Sequence, residues 1–209
     1  MSASSPETAF VPEPEDLGVV AATWNVGIRL LISAIGFVAV SFLFAFFYLK
    51  AVNSNGNWRP AHVNPSQGWG IAILVGVIAT ALVFEVARRG LTPASLSRWR
   101  GLAGVAVALA VAVLVVDVLQ LTQTNFGVTG GGYASVFYGW NAMSIAVWLG
   151  AVYWVETLFA VSLHPTAASG HIGGEPVEIL QRSASACVAF LYAVAGITVV
   201  FYVLLYLIK

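Results

Sequence analysis

Between Tyr133 and Leu163 the chain runs without a proline, a lysine or an arginine, and carries one acid, Glu156. About 30 helical residues at ~1.5 Å each reach ~45 Å, more than the ~30 Å hydrocarbon core of a bilayer. The stretch reads as a transmembrane helix that tilts or projects into the headgroups. Gly139, Ala142, Ala146 and Gly150 recur along one side. Small residues at that spacing let a second backbone approach closely, which favours association where water no longer drives it. The other spans are expected to pack around this one.

Four further apolar runs accompany it. The spans are expected at about 26–48, 68–87, 101–121, 133–163 and 184–208. Of the 209 residues, 59% are hydrophobic and 9% are charged, where a soluble chain has roughly a quarter charged. The apolar runs are continuous and do not alternate, which excludes a β-barrel and leaves an all-α integral membrane bundle of five transmembrane helices. Small-residue stripes are expected to face neighbours on the second span (Gly68, Ala72, Gly76, Thr80) and the third (Gly104, Ala108, Ala112). Residues 1–24 read as a disordered acidic cytoplasmic tail, with Glu7, Glu13, Glu15 and Asp16 and no basic n-region of a signal peptide.

Five spans put the termini on opposite sides. With the N-terminus in the cytoplasm, Arg88, Arg89, Arg98, Arg100 and Arg182 lie inside with Arg29 near them, against Lys50, Arg59 and Lys209 outside. That asymmetry favours a plasma-membrane protein with its N-terminus in and its C-terminus out. Formal net charge is zero, so no basic face is available for nucleic acid. The single cysteine, Cys187, excludes an internal disulfide and a paired-cysteine metal site.

The candidates for chemistry are few. Glu85, Asp117 and Glu156 lie in or at the spans, and intramembrane acids are functional candidates by default. Arg88 and Arg89 follow Glu85 at three and four residues, a spacing that predicts a local ion pair. Glu156 has Arg98, Arg100 and Arg182 as prospective partners. Asp117 is about 16 residues, or ~25 Å, from the inner end of its helix. Gln120 and Thr124 extend it into a polar stripe on one face. Two readings stand: the stripe hydrogen-bonds Asp117 to another helix, or it lines a water-accessible path. His62, His164 and His171 fall in loops on different sides, so they do not form one metal site. Nothing in the spacing assembles a catalytic site.

Several motifs, in order, resemble subunit III of haem-copper oxidases. Leu43-Phe44-Ala45-Phe46-Phe47-Tyr48 looks like the end of that family's third helix. Asn57 to Pro65, with Trp58-Arg59-Pro60 and His62, is similar to its following outer loop. Val118-Leu119-Gln120 resembles a Leu-Leu-Gln of the fifth helix, and Tyr133-Ala134-Ser135-Val136-Phe137-Tyr138 the opening of the sixth. Phe201-Tyr202-Val203-Leu204-Leu205-Tyr206 resembles the end of the seventh. Family members that lack the first two helices have five spans. Three family positions differ: a helix glutamate falls at Ile35, a histidine signature falls at 142–147 without histidine, and Phe84-Glu85-Val86-Ala87 replaces a Trp-Ala-His-His. The resemblance implies a non-catalytic accessory subunit of a cytochrome c or quinol oxidase in aerobic respiration. It would bind no cofactor itself beyond lipid, and haem and copper would reside in partner subunits. It would pack against subunit I and membrane lipids and support assembly and proton uptake, with Glu85, Asp117, Gln120 and Glu156 as a prospective proton or polar network. The alternatives are a small transporter or channel-like protein with Asp117 in its path, and a structural subunit of another membrane complex.

The charge asymmetry carries a direct expectation. Single cysteines placed at 88–100 should resist an impermeant thiol reagent applied to intact cells, and those placed at 51–67 should react. Labelling of the first loop from outside would reverse the orientation.

Overall fold

The computed structural model describes residues 17–53, 56–92, 95–164, 171–172 and 175–208. Its helices are α1 (Leu17–Val52), α2 (Gln67–Arg89), α3 (Leu96–Thr122), α4 (Gly132–Leu163) and α5 (Val177–Tyr202). The chain continues from α5 into a π-helical turn, Val203–Leu207. Two antiparallel two-residue strands, β1 (His171–Ile172) and β2 (Glu175–Pro176), precede α5. All five helices are long and apolar enough to cross a membrane. The chain is a multi-pass, all-α membrane bundle.

The helices overrun the expected spans at their ends. Hydropathy marks the part of a helix that meets lipid, whereas backbone hydrogen bonding carries on into the interface. Thus α5 starts at Val177 and not near 184, directly after Pro176, because Glu178, Gln181 and Arg182 are good helix formers despite their polarity. Likewise α1 starts at Leu17, so residues 17–24 belong to a helix and not to the expected tail, whose residues 1–16 lie outside the described part.

In cross-section the helices make a ring in the order α1–α4–α3–α2–α5, with α5 also touching α4 across it. The closest engagement is between α2 and α3, joined by a short connection. The expectation that α4 stands at the centre is corrected by this arrangement. Each of α4 and α5 touches three others, and α2 and α5 are the most buried spans, while α1 is the least buried.

The small-residue faces also differ from the expected ones. On α3 the buried stripe is Ala103, Ala106 and Ala110, all fully buried, and Ala108 and Ala112 face outward. On α2, Gly68 and Ala72 are exposed, and the close approaches are Gly76 to Val113 and Gly70 to the Tyr206 ring. On α4, Ala142, Ala146 and Gly150 are exposed, and the inner face is formed by Phe137, Asn141, Trp148, Ala151, Val155 and Leu158. Small residues lie on more than one face of these helices, so four-residue spacing alone does not select the face that packs. Of the two glycines in the α4 set, a Cβ at Gly139 would meet the Phe42 ring of α1 and one at Gly150 would meet nothing within 4 Å.

Interior position decides the cost of a substitution. A Cβ at Gly76 would overlap the Val113 side chain, so Gly76→Leu should lower the stability of the isolated bundle by about 1–3 kcal/mol. Ala108→Leu, on the exposed face, should leave it within about 0.5 kcal/mol. Thermal unfolding of both variants in detergent compares them, and equal losses would contradict the packing described.

Candidate functional site

Polar side chains gather at the two ends of the bundle. At one end Glu85, 8% exposed, accepts hydrogen bonds from both arginines that follow it. Arg88 Nε donates to Oε2 and Arg88 Nη2 to Oε1, each at 2.9 Å, and Arg89 Nε donates to Oε1 at 2.9 Å. Helical spacing places all three on one face, so the pair expected from the sequence is present. Arg88 Nη1 also reaches Ser185 Oγ of α5 at 3.2 Å, which makes the cluster a joint between α2 and α5. Both carboxylate oxygens are committed.

Three other bonds close this end. Gln181 Nε2 of α5 donates to the Leu91 carbonyl at 2.7 Å. Arg100 Nε of α3 donates to the Ser162 carbonyl at 2.7 Å, and Nη2 to the His164 carbonyl at 3.4 Å. A cation at the end of α4 satisfies carbonyls that have no partner within the helix and complements the helix dipole. The expected pairing of Glu156 with Arg98, Arg100 or Arg182 is corrected. Arg100 is spent on backbone, Glu156 is exposed on α4, and among the described residues it forms no ion pair.

The opposite end holds Asp117 and Gln120, each 2% exposed, in the last two turns of α3. Gln120 Nε2 donates to the Tyr206 hydroxyl in the π-helical turn. Tyr133, at the start of α4, donates its hydroxyl to the Leu205 carbonyl in the same turn. Ser144 of α4 lies near the Asp117 carboxyl. Asp117 Oδ1 and Gln120 Oε1 are buried without a donor among the described residues. A cavity of about 30 Å³ lies beside Ser144 and Tyr206, lined also by Asn141 and Thr198 among others, and neither Asp117 nor Gln120 lines it. A water needs ≳10–15 Å³ and a few polar partners, so the cavity can hold one. Thr124 does not continue the stripe: its hydroxyl pairs with Tyr138, which also donates to the Phe126 carbonyl at 2.7 Å.

The sequence places Asp117 and Gln120 on one helix face and groups Glu85 and Glu156 with them as a prospective network. The structure separates the four. Glu85 belongs to the arginine joint, Glu156 faces outward, and Asp117 and Gln120 lie at the other end. Tyr133, Ser144 and Tyr206 were missed as polar partners. Tyr202 and Tyr206, four apart within an apolar run, carried a signal, but nothing in the sequence says which helix a tyrosine meets. Among the described residues no three His, Cys, Asp or Glu side chains come together as a metal site. His62 and His164 are exposed, and the His171 side chain lies outside the described part.

Interhelical hydrogen bonds within membranes contribute about 0.6 kcal/mol and up to ~1.7 kcal/mol. Tyr206→Phe and Gln120→Leu should each destabilise the bundle, and the double variant should cost less than their sum by about that amount. Additive losses in detergent unfolding would show that the two side chains do not interact.

A comparison of the chain with protein-family models finds no match, and a search of curated proteins finds none, so any family assignment rests on the quoted motifs and on where the fold puts them.

Proposed function

We propose that the chain is an accessory, non-catalytic subunit of a haem-copper terminal oxidase, of the subunit III kind in its five-helix form. One observation carries the reading. The five motifs of the resemblance, scattered from 43 to 206 in sequence, meet at one end of the bundle. The Phe46 ring packs edge-on against Trp58 at 5.0 Å, and Trp58 against Tyr133 at 5.9 Å. Tyr133 N donates to the Trp58 carbonyl at 2.9 Å, its hydroxyl to Leu205, and Gln120 joins through Tyr206.

The proposed partner is the catalytic subunit I, which with its neighbours would hold the haem and copper. The α4 face fits such docking. Ala142, Ala146 and Gly150 point out of the bundle, and among the described residues a Cβ at Gly150 would meet nothing within 4 Å. Exposed Glu156 shares this helix and would gain a donor from a partner helix, since an acid in apolar surroundings is stabilised by pairing. Glu85, with both oxygens bound by arginine, serves as an anchor and not as a proton carrier. The membrane is the plasma membrane, with the N-terminus cytoplasmic by the charge asymmetry.

A second reading, a transporter with Asp117 in its path, draws on the unpartnered Oδ1 and the cavity beside Ser144. Asp117→Asn separates the two. An amide keeps the size and can accept one hydrogen bond and donate others, but it cannot carry a proton. In membranes holding the variant, oxygen consumption and recovery of the assembled complex should stay within about twofold of wild type. Oxygen reduction abolished in a fully assembled complex would overturn the accessory assignment of Asp117, and abolished ion flux would favour the transporter.

A further inference from the structure

A second cavity borders the Trp58–Tyr133 cluster. It has a volume of about 460 Å³ and sits where α1 ends and the loop to α2 folds back, lined by Lys50, Asn53, Trp58, Arg59, Val63 and Asn64 among others. Two of these are cationic, and none of the described lining residues is acidic.

Arg59 is held in place at this wall. Its Nε donates to the Val63 carbonyl at 3.0 Å and its Nη2 to Asn64 Oδ1 at 2.6 Å. The guanidinium lies over the Tyr133 ring, 4.4 Å from the centroid. Its buried Nη1 has no hydrogen-bond partner among the described residues. These hydrogen-bond acceptors and the ring are neutral, so they fix the guanidinium without matching its charge. A pre-positioned cation costs little entropy to bind an anion, and a planar guanidinium suits a phosphate. Asn64, its oxygen already engaged by Arg59, retains an NH₂ to donate.

The surroundings say what kind of anion. Phe44, Phe47, Tyr48 and Val52 are exposed on the last turns of α1. Phe47, Lys50 and Asn53 follow one another at three-residue spacing, so an apolar exposed surface leads along one side of the helix to the cavity. Trp58 at the cavity is the side chain favoured at headgroup depth. We infer that this cavity binds the phosphodiester of an anionic glycerophospholipid, with the phosphate between Arg59 and Lys50 and the acyl chains along the exposed aromatic face of α1. The inference narrows the lipid contact expected of the chain to one site. All its named residues belong to this chain, so it stands or falls apart from the oxidase reading.

The test is native mass spectrometry of the full chain released from nanodiscs of equimolar phosphatidylglycerol and phosphatidylcholine. Wild type should retain one phosphatidylglycerol in preference to phosphatidylcholine. Arg59→Gln should lose it. Lys50→Gln, which leaves the Arg59–Tyr133 contact untouched, should weaken retention about fivefold, the effect of one basic charge near a lipid surface. Millimolar inorganic phosphate should not displace the lipid. Unchanged retention in Lys50→Gln and in folded Arg59→Gln would overturn the site, as would equal retention of both lipids. Displacement by inorganic phosphate would identify a soluble-anion site and overturn the lipid assignment.

Discussion

Hydrocarbon offers a helix no hydrogen bonds, and it gives two apolar helices no hydrophobic reason to meet. Each of these five helices satisfies its own backbone, and cohesion then falls to close contact along their length and to polar bonds at their ends. Along the length, Ala103, Ala106 and Ala110 let α3 approach its neighbours, Gly76 admits Val113, and Trp148 Nε1 reaches the Ala110 carbonyl at 2.9 Å. At one end Arg100 and Gln181 tie helices to carbonyls across the ring. At the other, Tyr133 and Gln120 hold the π-helical turn that follows α5.

The number of helices and their class were legible because a long apolar run has few other solutions in a chain this poor in charge. The Glu85 pair was legible because it is local, set by helical geometry within one element. What required a neighbour was not. Ala108 and Ala112 satisfy the same spacing rule as buried Ala106 and Ala110, and only the position of α2 and α4 decides between them. Arg100 looked like a partner for Glu156 because charge suggests charge, yet unpaired carbonyls at the end of α4 lay closer. Tyr206 was invisible as a partner of Gln120, since the two are brought together only by how α5 crosses the bundle.

The division of polar groups bears on function. Glu85 and its arginines form a closed set, with every carboxylate oxygen used inside the chain. The Asp117 end is open in a different sense, with two buried acceptors lacking donors among the described residues, and with a cavity that fits a water lined by Ser144 and Tyr206. The outward faces, by contrast, combine small residues, an exposed acid on α4 and an exposed aromatic surface on α1. That distribution suits a chain whose work is done against other subunits and lipids.

Under the proposed function, haem and copper reside in partner subunits of this chain. Affinity purification of the tagged chain from its native membranes, followed by a reduced-minus-oxidised absorption spectrum of the eluate, tests it most directly. The account expects haem absorption bands and copper in stoichiometric proportion to the chain, together with a larger membrane subunit. A chain recovered intact from gently solubilised membranes, with neither haem nor copper, would contradict it.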